Sequence, residues 1–149
     1  MADEVDPPEG SPKDTQTPKE AKTAGAHSAR VLIADDDDAV RRFLRTVLGD
    51  AGYHVAEASD GRQAELGALD PAIDLLIIDL VMPNQEGIET IWDLRRRRPS
   101  LPILAISGVG DVTTYLNVAK LLGAGECLSK PISPATLLSA VRRSLQNRE

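Results

Sequence analysis

The run Val31–Asp38, VLIADDDD, leads an apolar segment straight into four consecutive aspartates. An uninterrupted apolar run rich in β-branched residues predicts a strand covered on both faces. In open α/β sheets, ligands bind just past the carboxyl ends of the strands. The chain therefore aims a cluster of carboxylates at the place where such folds do chemistry. Neighbouring carboxylates repel and raise one another's pKa. A hard cation with oxygen ligands, Mg²⁺ or Ca²⁺, removes that conflict. Asp35 and Asp36, at the strand end, are the candidate ligands. Asp37 and Asp38 read as a solvated turn, with Asp38 as the N-cap of the following helix.

Outward from this stretch, composition sets the frame. The 149 residues suit one domain, and 42% hydrophobic content supplies a core. The formal net charge of −6 argues against direct binding of nucleic acid. A single cysteine excludes an internal disulfide and fits a reducing compartment. No apolar run is long enough to span a membrane, and MADEVDPPEG has no signal-peptide pattern, so a cytoplasmic protein with no membrane partner is expected. Residues 1–29 are rich in Pro, Lys, Ser, Thr and acids, and read as a disordered tail before a domain over 30–149.

Within 30–149 the pattern alternates. Val31–Ala34 is the first strand, and Val40, Phe43, Leu44, Val47 and Leu48 mark the apolar stripe of the first helix, ended by Gly49 and Gly52. A short strand over Tyr53–Glu57 leaves His54 structural or exposed. A helix over Gly61–Leu69 follows, with Ala64, Leu66 and Leu69 as its apolar positions. Ile73–Asp79, IDLLIID, is a second buried strand ending in an aspartate. The loop LVMPNQEG opens onto a helix over Gly87–Arg98, with Ile88, Ile91 and Trp92 facing inward. Arg95–Arg98 reads as a solvated basic end that complements the helix dipole. Leu101–Ile106 is the next strand, ending in Ser107–Gly108. Asp111 caps a helix through Leu122, Gly125–Ser129 is the fifth strand, and Ser133 with Pro134 opens the last helix. Leu137, Leu138, Val141 and Leu145 form its inner stripe.

Strand and helix alternate five times, which implies a doubly wound parallel sheet with helices on both faces. The strand ends bring together Asp35 and Asp36, Asp79, Ser107 and Lys130. A cation held by carboxylates, a carboxylate nucleophile, a hydroxyl and an ammonium make a phosphoryl-handling site.

From Arg30 onward, VLIADDDD, LLIIDLVMPNQEG, LAISG and SKP resemble, in order and spacing, the receiver domain of bacterial response regulators. That resemblance implies the flavodoxin-like (βα)5 fold with strand order 2-1-3-4-5. It implies Asp79 as phospho-acceptor, and Mg²⁺ held by Asp36, by Asp35 directly or through water, by Asp79 and by the Val81 carbonyl. Ser107 stands at the family's hydroxyl position. Lys130 would pair with the phosphoryl group, and its bond to Pro131 is expected to be cis. The implied partners are a sensor histidine kinase or a histidine phosphotransfer protein, and an unidentified downstream protein target. A homodimer would use the face made by the fourth helix, fifth strand and fifth helix. Since no segment follows the last helix, a stand-alone, non-enzymatic signalling domain is expected.

Two departures stand out. Cys127 occupies a position where the family usually carries Tyr or Phe, and a thiol cannot report on the hydroxyl residue as a ring does. The loop GVGDVTT after Ser107 is about one residue longer than is common. Two competing readings are weaker. A haloacid-dehalogenase-type phosphatase fits Asp36–Val40, DDDAV, but needs a further acidic pair after the lysine, where only Glu149 remains. A flavodoxin-like electron carrier would need a phosphate-binding loop where this chain has aspartates.

Overall fold

Alternate residues of each central strand enter different cores, which is why the apolar runs are continuous. The computed structural model describes residues 29–82, 87–108, 117, 120 and 123–146. The strands are β1 (Arg30–Ala34), β2 (His54–Ala58), β3 (Leu75–Asp79), β4 (Ile103–Ser107) and β5 (Glu126–Ser129). The helices among the described residues are α1 (Asp38–Asp50), α2 (Gly61–Ala68), α3 (Gly87–Arg97) and α4 (Pro134–Gln146). All strand pairs are parallel, and the order is β2-β1-β3-β4-β5, the flavodoxin-like arrangement expected from the sequence.

Leu32, Ala34, Leu76, Ile78, Ile103 and Ala105 point into one core with Ala64 and Ala68 of α2 and Ile91 and Leu94 of α3. Val31, Ile33, Leu75, Ile77, Leu104 and Ile106 point into the other, with Leu44 and Leu48 of α1 and Leu137, Ala140 and Val141 of α4. Burying a large aliphatic side chain contributes about 1.5–3 kcal/mol, so these two layers hold the strand ends in place.

Several expectations about faces need correction. Leu66 is 66% exposed and Trp92 is 56% exposed. On α2 the buried positions are Gly61, Ala64 and Ala68, small residues that let the helix lie close to the sheet. On α3 they are Gly87, Thr90, Ile91 and Leu94, which turns Trp92 outward. The α1 cap is Asp37, whose carboxylate accepts from Ala39 N at 2.8 Å and Val40 N at 3.3 Å, while Asp38 is the first helical residue. In a run of aspartates each one can cap, and local sequence does not choose between them.

Arg95 and Arg98 are not a solvated end. Arg98 Nη1 reaches the carbonyls of Ala68, Asp70 and Ile73, each at 3.0 Å, closing the C-terminal end of α2. Arg95 Nη2 donates to Gly123 O at 2.8 Å and its Nη1 to Pro99 O at 3.0 Å.

Ala29, read as the last tail residue, is buried in the second core, and its carbonyl accepts from His54 N at 3.0 Å. Gly52, at φ 100°, ends α1: Tyr53 N donates to Leu48 O at 3.1 Å and Gly52 N to Gly49 O at 3.0 Å. Ser133 caps α4 as expected, its hydroxyl accepting from Thr136 N at 3.1 Å. The tail 1–28, the loop 83–86 and all but Asn117 and Lys120 of the expected helix over Asp111–Leu122 lie outside the described residues.

Candidate functional site

Parallel register delivers the site. Ala34 lies opposite Ile78, so Asp35, the next residue, falls level with Asp79 at the end of β3. Asp79 lies opposite Ile106, and Ser107 lies opposite Ser129, one residue before Lys130. The ladder continues past the strands: Leu80 N donates to Ile106 O at 3.0 Å and Lys130 N to Ser107 O at 2.8 Å. Four strand ends thus carry their polar residues to one rim of the sheet.

Asp35, Asp36 and Asp79 each offer a carboxylate oxygen, and the three lie within 4.8 Å of one another. Asp35 is fully buried, Asp79 and Ser107 are nearly so, and Asp36 faces solvent. Lys130 Nζ lies 2.9 Å from Asp35 Oδ2 and 3.1 Å from Asp79 Oδ2. The contact to Asp79 is a hydrogen bond, whereas the contact to Asp35 is an ion pair and Asp35 Oδ2 has no hydrogen-bond partner. Asp35 Oδ1 accepts from Asp37 N at 2.9 Å, and Asp79 Oδ1 from Val81 N at 3.1 Å. The Lys130–Pro131 peptide bond is cis, as expected.

Burial raises the Asp35 carboxyl above its ordinary value, against the lowering effects of the Asp37 N–H and of Lys130; the Asp79 charge raises it further. Burial is also the largest single effect on Lys130 and lowers it, yet Asp35 and Asp79 together lift the ammonium above its ordinary value. Two buried carboxylates, Asp35 and Asp79, share the Lys130 ammonium, and the exposed Asp36 carboxylate lies within 4.8 Å of both. The residues fit a divalent cation. The donors are all oxygens, as Mg²⁺ requires, and a buried carboxylate oxygen lacks a hydrogen-bond donor.

Every described residue expected at the site is at this rim. Val81 follows β3 and is 46% exposed. The loop 109–111 lies outside the described residues. Cys127 is half-buried against the core that contains Ala105 and Ala124, and burial raises its thiol pKa. The sequence reading missed Arg41, which donates from Nη1 to Asp35 O at 2.8 Å and from Nε to Glu57 Oε1 at 3.2 Å. Nothing in the local pattern marks it, because Glu57 is sixteen residues away and on strand β2.

Comparison with known proteins agrees with this geometry. The family model described as "Response regulator receiver domain" matches residues 31–142. Response regulator RR06 of Streptococcus pneumoniae is 31% identical over 112 residues, 75% of this chain and 51% of that protein. Transcriptional regulatory protein CpxR of Escherichia coli is 33% identical over 117 residues, 78% of this chain and 49% of that protein. Chemotaxis response regulator CheY4 of Vibrio cholerae superposes with a TM-score of 0.71 at 34% identity, covering 78% of this chain and 98% of its own. The Francisella response regulator 1452 receiver domain gives 0.72 at 27% identity, with coverage of 80% and 98%. The chain spans about half the length of the RR06 and CpxR relatives. It belongs to the response-regulator receiver family, a family of two-component signalling domains that take a phosphoryl group on aspartate.

Proposed function

We propose that this receiver accepts a phosphoryl group on Asp79 from a histidine kinase or a histidine phosphotransfer protein, requires Mg²⁺ to do so, and signals by protein contact. The observation that carries the reading is the convergence of Asp35, Asp36 and Asp79 within 4.8 Å beside Lys130. Asp79 is assigned the transfer because it alone ends a central strand between the acidic pair and Ser107. An Asp79 carboxylate oxygen bonds to phosphorus as the bond from phosphorus to the donor's histidine nitrogen breaks.

Asp35, Asp36, Asp79 and the Val81 carbonyl would hold Mg²⁺, which supplies positive charge to the phosphoryl oxygens and to the crowded carboxylates. Lys130, already on Asp79 Oδ2, would follow the charge onto a phosphoryl oxygen. Ser107, buried on the neighbouring strand, would donate its hydroxyl to another. A single-domain, non-enzymatic, cytoplasmic role, with an unidentified target or a second copy meeting the β5 and α4 side, belongs to the same proposal. Among the described residues, no helix is long and apolar enough to cross a membrane.

The test is labelling with acetyl phosphate and with candidate phosphorylated kinases. Asp79→Asn is expected to stay folded and take no label, and chelation of Mg²⁺ to abolish labelling of the parent. Undiminished labelling of Asp79→Asn would overturn the assignment.

A further inference from the structure

Asp36 is the most exposed member of the acidic cluster, and no described residue donates a hydrogen bond to its carboxylate. Its place therefore comes through its backbone. The peptide after it is held by Asp37 N donating to Asp35 Oδ1 at 2.9 Å, and by the Asp37 cap on α1. The peptide before it is held at its oxygen: Asp35 O accepts from Arg41 Nη1 at 2.8 Å. The Arg41 guanidinium is itself aimed from two further sides. Nε donates to Glu57 Oε1 at 3.2 Å, and Nη2 contacts the Asp38 carboxylate. The second Glu57 oxygen is held by Arg45 Nη1 at 2.6 Å. A chain of contacts thus runs from Arg45 through Glu57 on the edge strand β2 and Arg41 on α1 to the peptide that carries Asp36.

We propose that Arg41, aimed by Glu57, is a positioning residue for metal binding: it fixes the Asp35–Asp36 peptide so that the Asp36 carboxylate meets those of Asp35 and Asp79. This rests on the receiver reading above. A planar fork with several fixed donors suits the task, and a lysine cannot span the same acceptors. Groups that orient a metal ligand rather than touch the metal typically change affinity by about 10- to 100-fold when removed.

Charge and position act here with opposite sign. Arg41 is a cation beside three carboxylates. By field alone, Arg41→Gln would tighten binding of a divalent cation. If Arg41 positions the loop, the same change weakens binding.

The experiment titrates Mg²⁺ calorimetrically into the full chain and into Arg41→Gln, Arg41→Lys and Glu57→Gln, at a temperature where circular dichroism shows each to be folded. Melting in EDTA is recorded in parallel, since a merely structural role lowers that melting point and leaves Mg²⁺ affinity of the folded protein unchanged. The expected result is an Mg²⁺ Kd weaker by about tenfold in Arg41→Gln, a similar loss in Arg41→Lys although its charge is kept, and a smaller loss in Glu57→Gln. Should Arg41→Gln not fold, Arg41→Lys and Glu57→Gln carry the test. Parent-like or tighter binding in the folded Arg41 variants, or in Glu57→Gln where these do not fold, overturns the inference and leaves the receiver reading standing. A parent that neither binds Mg²⁺ nor takes label on Asp79 overturns both.

Discussion

A single methyl group at Gly87 should damage both the fold and the site. Gly87 opens α3, and its N–H donates to Leu80 O at 3.0 Å, so the ends of the loop after β3 are clasped together. A Cβ built there would lie 2.2 Å from the Asp79 carbonyl oxygen and 2.7 Å from Leu80 Cα. Ordinary contact begins near 3.4 Å, so the backbone must open by about 1 Å. Both obstacles are main chain and cannot swing aside as a side chain would. Overpacking costs about 1–3 kcal/mol, and this case belongs at the upper end, near 3 kcal/mol. At roughly 4 °C per kcal/mol for a domain of this size, the melting temperature should fall by about 10 °C. The displaced peptide is that of Asp79, whose carboxylate also accepts from Val81 N at 3.1 Å, so labelling by acetyl phosphate should slow severalfold while the variant is still folded. Two other glycines give the contrast. At Gly49 a Cβ meets nothing within 4 Å, and alanine should stabilise α1 by about 0.5–1 kcal/mol. At Gly67 it meets only the Leu32 side chain, at 3.0 Å, so the helix gain and the repacking nearly cancel. Thermal melts and labelling rates on the three alanine variants decide the matter. A Gly87→Ala protein that melts with the parent and labels at the parent rate would refute the reasoning.

Three other perturbations have expected outcomes. Carboxylates within 4.8 Å repel by about 1 kcal/mol in a water-like medium, so Asp36→Asn should be about that much more stable than the parent in EDTA and gain little from Mg²⁺; an undiminished Mg²⁺ shift in its melting curve would count against the cluster as the metal site. Arg45 and then Arg41 hold the Glu57 carboxyl below its ordinary value against a partial loss of solvation, so its contribution is present above the unfolded-state value and is lost as pH falls through the folded-state one. Glu57→Gln in EDTA should therefore lose about 0.5–1 kcal/mol at neutral pH and match the parent at the acid end, a convergence that urea melts across pH would reveal or deny. Arg98→Ala frees three carbonyls at the end of α2 and should cost about 2 kcal/mol in chemical denaturation, whereas a solvated arginine would cost under about 0.5 kcal/mol.

What the sequence revealed, and what it hid, follows from how far each residue's partners lie along the chain. The strands were legible because burial on both faces makes whole runs apolar: Leu75–Ile78 alternates between two cores, yet all four residues are buried. Asp35, Asp36, Asp79 and Ser107 were legible because each ends or follows such a run, whereas Lys130 follows the short, partly exposed β5 and was legible through the SKP motif. Helix faces were less so. Periodicity locates a stripe only to within a residue, and on α2 and α3 the sheet takes Ala64, Ala68 and Leu94 in preference to the larger Leu66 and Trp92. The arginines were not legible at all. Arg98 meets carbonyls 25 to 30 positions earlier and Arg41 meets Glu57 16 positions later, so neither leaves a local pattern.

The same division separates what holds the domain together from what sets the site. The two apolar layers fix the strands, and with them Asp79 and Ser107, which are strand residues themselves. Asp35 and Asp36 lie beyond the end of β1, where the ladder is reduced to Asp35 N donating to Ala58 O at 3.2 Å. Their register depends instead on single polar contacts from Asp37, Arg41 and Lys130. Core substitutions are thus expected to change stability and leave metal affinity of the folded protein nearly constant, while changes at Arg41 or Glu57 alter affinity at modest cost in stability. A receiver built this way carries its charge repulsion on the side of the cluster that single polar contacts, rather than the sheet ladder, hold in place.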